Sequence, residues 1–558
     1  MKRCVYKKVP VVALSSLLAA FSQAAEPPQV PSAGSILQQT QPTKPPSASS
    51  IGTGLIIEQA NGSTSPPSAP FQVTEIQISG NTQFDTATLH ALVAAAEGKS
   101  LTLAQLGEVA DRITAYYHEH GFPLARAVIP AQTIRNGSVR LMVIEARYSK
   151  IKLDNHSRTD DPLLLSTLVG LQPGQQIEQN ALDHSLLLLS DVPGVITSAT
   201  LKPGEAVGTS DLEIEATTEQ AVTGNLSADD YGNRYTGRDR LGGSINFFNP
   251  LRHGDVLSLN LLTTGSDMNY GRVGYEAVVN GLGTRLGVSY SALHYTLGDT
   301  LAALGGHGTA DVANVWLKQP FLRSRSVNLY GQVEYDHKQL KDDIDSTGIQ
   351  TDRHLDELTA SLMGDWRDMY GVNSWNLALM DGRLNFDNAP SQLADAATAR
   401  TQGSFAKWTA NINRVQSINQ GNSLYFAFSG QWSNTNLDAS EKMVAGGPYT
   451  VRAYDMGALS GDSGILGNVE LRHELGQLWS GQAQAIVFID SEHVTINHTT
   501  WTAGTNGASL SGAGVGFNWF GQSQWSIKAT VAAPVGATPE LIGAKKSVRG
   551  WIELDKTM

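Results

Sequence analysis

The sequence predicts an all-β transmembrane barrel of about 16 antiparallel strands, preceded by two small α+β units of β-α-α-β-β order. Three observations support this fold class. The chain begins like a secreted protein, residues 71–217 repeat one order of helices and strands, and residues 218–558 alternate between apolar and polar side chains. Such alternation is typical of membrane strands, because one face of each strand meets lipid and the other meets the lumen.

Residues 1–25 have the pattern of a secretory signal peptide. Four basic residues between Lys2 and Lys8 precede a short apolar run, and small residues end the segment at Ala25. Cys4 is the only cysteine, so cleavage would leave a chain with no disulfide and no thiolate metal site. Loss of the four basic residues changes the net charge from −12 to −16. A chain this acidic has no general attraction for nucleic acid, so we expect no nucleic-acid partner.

Residues 26–70 are rich in Pro, Ser, Gln and Thr, a composition that predicts a linker without a core of its own. Within it, Ser35–Gln39 could form one or two helical turns and is a candidate short plug helix. The alternative is that the whole segment is a disordered linker. No run of about 18 apolar residues follows the signal segment, so we expect no transmembrane helix.

Residues 71–147 are expected to form the first compact unit. Its first strand contains Ile76 and Ile78, and Asp85 can cap the helix that follows. Leu103 to Tyr117 place apolar residues at spacings of three and four, which predicts a second helix. Two strands, 125–134 and 138–146, complete the unit around the turn Arg135-Asn136-Gly137.

Residues 148–217 repeat this plan as a second unit. A strand begins near Ile151, and Asp161-Pro162 opens a helix. A second helix is predicted over Gln179–Ser190, followed by strands over 195–201 and 211–216. Two tandem copies of one order indicate modular domains ahead of the barrel.

Residues 218–558 are assigned to the barrel. They provide about 21 residues for each of 16 strands with its connection, which suits membrane strands of ~10 residues joined by short turns and longer loops. Stretches 385–403 and 433–464 lack clear alternation and are expected to be long loops. Near residue 490, parity places Val487 and Ile489 toward lipid and Asp490 toward the lumen.

The same parity rule applies to residues 512–519. Ala513, Val515, Phe517 and Trp519 form the apolar set, so Gly512, Gly514 and Gly516 are expected to face the lumen. Three glycines in line would leave a smooth strip where another piece of backbone can lie close to the wall. The Gly-x-Gly-x-Gly spelling also occurs in nucleotide loops, but no helix follows it here.

Two motifs resemble those of two-partner secretion transporters, the ShlB/FhaC/HecB family, which is related to barrel-assembly insertases. The run Val451-Arg452-Ala453-Tyr454 is similar to the family's loop motif, with Ala453 in place of the usual glycine. Phe488-Ile489-Asp490 is similar to its Phe-x-Asp-x-Gly strand motif, with Glu492 where the glycine is expected. The double preface likewise resembles two polypeptide-transport-associated (POTRA) domains, 71–147 and 148–217.

The resemblance implies a location and a function. It places the barrel in the outer membrane lipid of a Gram-negative cell, with the POTRA domains in the periplasm and the loop 443–464 inserted into the barrel, where Arg452 would pair with Asp490. It implies export of an unfolded exoprotein client, a large adhesin or a haemolysin or cytolysin. The barrel-assembly machinery would be a partner during biogenesis, although the chain continues past Trp551 and does not end on an aromatic residue.

Three other functions fit parts of this pattern. An insertase or chaperone for other outer-membrane proteins shares the domain plan but typically has more preface domains. An outer-membrane enzyme is disfavoured because no Gly-x-Ser-x-Gly elbow is present, and a passive porin would not need residues 71–217. We therefore expect no enzyme activity, catalytic residue, cofactor or metal. The sequence has no Gly-x4-Gly-Lys-Ser/Thr phosphate loop, so export would draw on client folding or binding outside the cell.

Overall fold

The computed structural model describes residues 30–40, 49–50, 52–58, 68–537, 539–542 and 547–558. The expected signal segment, 1–25, lies outside these residues. In the part of the chain that the structure describes, no helix is long and apolar enough to cross a membrane. Ahead of residue 68 the described elements are helix α1, Ala33–Thr40, and strand β1, Leu55–Ile57.

The first N-terminal domain has strands on one side and two helices on the other. Its elements are β2 Phe71–Gln72, β3 Glu75–Ser79, α2 Thr86–Val93, β4 Ser100–Leu101, α3 Leu103–Glu119, β5 Arg126–Val128 and β6 Ser138–Ile144. Asp85 caps α2 by accepting a hydrogen bond from the backbone N–H of Thr88. The strand expected over 125–134 is only three residues long, in part because Pro130 has no N–H to continue a ladder.

The buried carboxylate of Glu145 links this domain to the next through hydrogen bonds. It accepts hydrogen bonds from the backbone N–H groups of Thr82 and Gln83 and from the Tyr117 hydroxyl, and from Gln176 of the second domain. Burial raises the pKa of Glu145, but hydrogen bonds from the hydroxyl and backbone N–H of Thr82, from the N–H of Gln83 and from the Tyr117 hydroxyl outweigh it and hold the pKa below the usual glutamate range. The carboxylate is therefore charged in the folded protein at neutral pH.

The second N-terminal domain consists of β7 Arg147–His156, α4 Asp161–Thr167, α5 Gln179–Ser190, β8 Val195–Pro203 and β9 Thr209–Thr218. Strand β7 pairs in parallel with β9, and β8 pairs antiparallel with β9. Strand β1, from the preceding linker, adds to the sheet by pairing in parallel with β8, Leu55 to Ala199 and Ile57 to Leu201. The linker segment thus occupies the sheet edge of this domain.

The barrel is closed and has 16 antiparallel strands, which confirms the predicted fold class. Strands β10 and β27, the first and the last, pair with each other to close it. The elements are β10 Val222–Asp229, β11 Arg240–Phe248, β12 Asp255–Thr263, β13 Met268–Val278, β14 Arg285–Thr296, β15 Gly306–Arg323, β16 Val327–Ile344, β17 Ile349–Asp368, β18 Gly371–Phe386, α6 Ala389–Ala397, β19 Gly403–Asn419, β20 Asn422–Ser433, the loop strands β21 Met443–Ala445 and β22 Leu459–Gly461, then β23 Ser463–Leu478, β24 Gly481–Thr495, β25 Gly507–Gly521, β26 Trp525–Pro534 and β27 Arg549–Thr557.

Strand lengths differ around the barrel. Strands β10 to β12 have eight or nine residues, whereas β15 to β19 have 16 to 20, more than the ~10 expected for a membrane crossing. The additional residues extend the wall beyond the apolar band. The longest strands surround the half of the lumen that contains α1.

The second N-terminal domain contacts the near end of the barrel, where β10 begins. Arg323, at the end of β15, is fully buried and forms a two-pronged ion pair with Asp191 of the domain, at 2.6 and 2.8 Å. The backbone carbonyl of Asp191 also accepts a hydrogen bond from Arg285 at 2.6 Å. A second ion pair joins Arg325 to Asp183 at 2.6 Å. These contacts fix the domain at the mouth of the lumen.

Candidate functional site

Helix α1 lies inside the barrel, in the half far from the N-terminal domains. Its backbone begins at Ala33, whose N–H donates to Asp342 of β16 at 2.7 Å; a carboxylate at a helix N-terminus is favourable. Ile36 is buried, and it packs in a cluster with wall residues that include Leu340 and Leu355. Ser49, beyond the undescribed range 41–48, instead contacts Asp365 at the near end of the barrel.

The loop between β20 and β23, residues 434–462, also lies inside the barrel and crosses it. Near its start, Glu441 is buried between Lys338 of β16 and Lys407 of β19, at 2.6 and 2.8 Å. Its tip, residues 446–458, reaches the opposite wall at β23 to β27. The hairpin of β21 and β22 forms the stem of this loop.

Arg452 and Asp490, the pair expected from the sequence, are in contact. The guanidinium donates to both oxygens of the carboxylate, Nε to Oδ2 at 2.9 Å and Nη2 to Oδ1 at 2.7 Å. The backbone N–H of Arg452 adds a third hydrogen bond at 3.1 Å. Asp490 is fully buried and Arg452 is 8% exposed, so the pair is shielded from water, and a two-pronged pair is the strongest form of this interaction.

Further residues of the same wall complete the contact. Glu470 of β23 accepts a hydrogen bond from Nη1 of Arg452 at 2.7 Å, and Arg472 pairs with the other oxygen of Glu470. Asn468 donates to Asp490 and to the backbone carbonyl of Thr450. The guanidinium also lies over the Phe488 ring, 3.4 Å from its centre, where a desolvated cation is attracted by the ring face.

The other motif residues pack around this pair. Val451, Ala453 and Tyr454 are all buried, in one apolar cluster with Phe488 and other wall residues. The chain needs left-handed backbone at Gly446 and Gly447, with φ of 87° and 128°, to turn into this position. A side chain at either glycine would be strained.

The glycine strip faces inward, but only one of its members meets the loop. A Cβ built on Gly512 would lie 2.5 Å from the Cβ of Ala453. A Cβ on Gly514 would instead lie 2.6 Å from the Phe488 ring, and one on Gly516 would meet Thr530 at 3.1 Å. The strip therefore admits the loop at Gly512 and the motif phenylalanine at Gly514.

The plug helix and the inserted loop pack against each other. Gly34 of α1 lies so close to Ser440 of the loop that a Cβ there would be 2.7 Å from the Ser440 backbone nitrogen. The Gln38 side chain donates to the Ser440 carbonyl. Arg353 of β17 joins the two segments, because it pairs with Asp438 of the loop at 2.6 Å and with Asp342 under the helix at 2.7 Å.

The match to known protein families is extensive. Residues 208–519, more than half of the chain, match the model of the haemolysin secretion/activation protein ShlB/FhaC/HecB. Residues 71–146 match the ShlB-type POTRA domain. The chain belongs to the ShlB/FhaC/HecB family. It is an outer-membrane transporter of the two-partner secretion type, with its POTRA region in the periplasm and the far end of its barrel outside the cell.

Relatives of this ShlB/FhaC/HecB member include the heme/hemopexin transporter protein HuxB of Haemophilus influenzae (strain 86-028NP), 26% identical over 83% of this chain and 84% of HuxB. The outer membrane transporter CdiB of Escherichia coli O6:K15:H31 (strain 536 / UPEC) is 23% identical, over 75% of this chain and 72% of CdiB. The fold is similar to that of solved CdiB from Escherichia coli, with a TM-score of 0.69 at 20% identity over 90% of this chain and 92% of that structure.

Several residues of the transporter's site were not singled out from the sequence. Glu470 follows strict alternation in Asn468-Val469-Glu470-Leu471, so the parity rule used for Asp490 could have found it. Glu441 had no such signal, because loop residues have no parity. Among the described residues, no group of three or more His, Cys, Asp or Glu side chains is placed to hold a metal ion.

Proposed function

We propose that this transporter captures one unfolded exoprotein through residues 71–217 and exports it through a lumen that α1 and the loop 434–462 close between rounds of export. The observation that carries the proposal is the occupied lumen. Two segments that are not barrel strands lie inside it, and each contacts the wall through hydrogen bonds or ion pairs as well as through an apolar cluster. Water and a passing polypeptide can replace such contacts, so these segments can leave without unfolding the barrel.

Client capture is proposed at the sheet edge of the second POTRA domain. Strand β1 occupies the edge of β8 through a three-residue parallel pairing, and Ile56 in its centre is 60% exposed. An edge that accepts one extended segment can accept another, because main-chain hydrogen bonds supply most of the affinity in strand addition. A client strand would therefore compete with β1 for β8.

The client is proposed to be a large exoprotein. The sequence motifs imply an adhesin or a haemolysin or cytolysin. Some relatives are named for heme/hemopexin transport and one for hemolysin transport, so an exoprotein that handles heme is a further candidate. The energy would come from client folding outside the cell, and the mechanism contains no catalytic step.

The proposal is tested by co-expressing the chain with a candidate exoprotein client and measuring client in the medium. Deletion of residues 71–147 should leave a folded, heat-modifiable barrel in the outer membrane that exports no client. Normal export by this deletion would contradict the role given to the first domain. If loss of the chain instead reduced the assembly of other outer-membrane proteins while client export continued, the insertase alternative would be favoured.

A further inference from the structure

Trp551 contacts the loop tip from the last barrel strand. Its side chain points into the lumen and is 3% exposed. The indole N–H donates to the backbone carbonyl of Arg452 at 2.7 Å. Arg452 is therefore held by its guanidinium on β23 and β24 and by its carbonyl on β27, so the Trp551 contact can set where the guanidinium lies.

Asp455, three residues further along the tip, makes a second contact in the same direction. Arg238, in the connection between β10 and β11, donates to both of its carboxylate oxygens at 3.1 and 3.2 Å. Arg549 of β27 approaches the same carboxylate at 3.4 Å. The Arg549 guanidinium also lies 4.0 Å from the centre of the Trp551 ring. The Asp455 carboxylate thus pairs with one arginine beside β10 and with one arginine on β27, the two strands that close the barrel.

Aromatic rings fill the space between these polar contacts. Tyr231, directly after β10, is 6% exposed. Its ring meets the Trp551 ring edge to face at 5.9 Å and the loop residue Tyr449 at 5.6 Å. Edge-to-face pairs of this kind favour one geometry beyond the area that they bury.

These contacts have a common location in the fold. Strands β27 and β10 form the pair that closes the barrel, and the loop tip extends from β23 and β24 across the inner face of that pair. Trp551 also shares the lumen-facing parity of β27 with Arg549 and Glu553, while Ile552 and Leu554 face lipid. Trp551 therefore lies on the polar face of a membrane strand. The loop buries its apolar ring, and the Arg452 carbonyl accepts a hydrogen bond from its N–H.

We propose that Trp551 and Asp455 are positioning residues for the Arg452–Asp490 contact, which tie the docked loop tip to the two strands that close the barrel. The inference rests on the proposed function in one respect, that the docked loop closes the lumen. A space-filling tryptophan would need only its ring, whereas a positioning tryptophan also needs its N–H. Replacing the indole by a phenyl ring removes the N–H together with part of the ring, so the unfolding temperature is needed beside the labelling rate to separate the two roles.

The experiment measures loop docking directly and needs no client. The sequence beyond residue 25 contains no cysteine, so Val451→Cys supplies a unique thiol at a fully buried position of the tip. The rate at which a polymer-linked maleimide labels this thiol in the full-length protein reports how often the tip leaves the wall. The temperature at which the heat-modifiable band unfolds is measured in parallel as a control for barrel stability.

Trp551→Phe should raise the labelling rate about two- to tenfold, the range for loss of one buried hydrogen bond. Asp455→Asn, which changes no barrel strand, should also raise it. Trp408→Phe is the matched control, because Trp408 lies on β19 and is 48% exposed on the lipid face; its labelling rate should equal that of the parent.

The outcomes decide between a positioning and a structural role. Faster labelling in Trp551→Phe and Asp455→Asn with an unchanged unfolding temperature supports the proposal. Parent-like labelling in both variants overturns it, whether or not the unfolding temperature falls. If both variants label faster yet export client at the parent rate, the positioning role stands and the role of loop docking in export, part of the proposed function, is wrong.

Discussion

Removing either partner of the Arg452–Asp490 pair should undock the loop and reduce export sharply. Asp490 is fully buried and Arg452 nearly so, and one-sided removal of a buried ion pair costs about 3–5 kcal/mol. The cost of Arg452→Ala should lie at the low end of this range, because each carboxylate that it leaves behind retains a partner. Asp490 still accepts a hydrogen bond from the Asn468 amide at 2.9 Å, and Glu470 still pairs with Arg472. About 3 kcal/mol corresponds to roughly a 100-fold shift of the docking equilibrium.

Asp490→Ala should cost less, about 2 kcal/mol, because its loss removes hydrogen bonds to a charged group but leaves Arg452 a partner. That partner is Glu470 at 2.7 Å, and the Phe488 ring still lies beneath the guanidinium. The expected order of undocking is therefore Arg452→Ala above Asp490→Ala. Arg452→Lys should fall near Asp490→Ala, since an ammonium group keeps the charge but cannot form the two-pronged contact.

The assay is a double-mutant cycle, read by secreted client and by labelling of Val451→Cys. The double variant should be little worse than Arg452→Ala alone, because both substitutions remove one shared contact. Barrels of all variants should keep their heat-modifiable band, since the pair fixes a loop and joins no strands. Additive defects, with a coupling free energy below about 0.5 kcal/mol, would refute a direct energetic contact between the two side chains.

Three further predictions address other contacts. Gly512→Ala should reduce export because its methyl group would lie 2.5 Å from that of Ala453; adding Ala453→Gly should restore export, and failure of this rescue would disprove the packing explanation. Glu58→Pro removes the N–H that donates to β8 at 3.0 Å and should increase capture of a client fragment in a pull-down relative to Glu58→Gln, which keeps the N–H; equal capture would rule out competition by β1. Glu145→Gln should destabilise the first POTRA domain by about 1–3 kcal/mol at neutral pH. Because the pKa of Glu145 is lowered on folding, the parent protein should lose the stability that the charged carboxylate contributes as the pH falls through that pKa. If the hydrogen-exchange rates of β6 change neither with the substitution nor with the pH, the role of Glu145 is contradicted.

Much of this fold could be predicted because its signals are local. Helix α5, which contains the run Leu186 to Leu189, was predicted with the bounds Gln179–Ser190 that the structure shows. The hairpin turn at Asn136 and Gly137 was also predictable, and both residues have positive φ, as a tight two-residue turn requires. Parity gave the lumen face near Asp490 because strand side chains alternate with a period of two.

The contacts inside the lumen could not be predicted in the same way. Arg353 joins α1 to the loop through Asp342 and Asp438, and these residues are brought together only by the closed barrel. A loop has no periodicity, so nothing local in Asp438 or Glu441 indicates which wall it meets. The Arg452–Asp490 contact was anticipated through family resemblance and parity together, since distance in sequence alone carries no such information.

The two departures from the family motifs are consistent with a loop fitted to this particular wall. Ala453 adds a methyl group where glycine is usual, and Gly512 has no side chain to meet it. Glu492 adds a carboxylate where the strand motif expects glycine, and this buried group lies beside the backbone of Gly446 and the side chain of Thr450. Both departures thus lie where the inserted loop meets the wall. Both contacts form only when the loop tip lies against the wall, so both belong to the docked state of the loop.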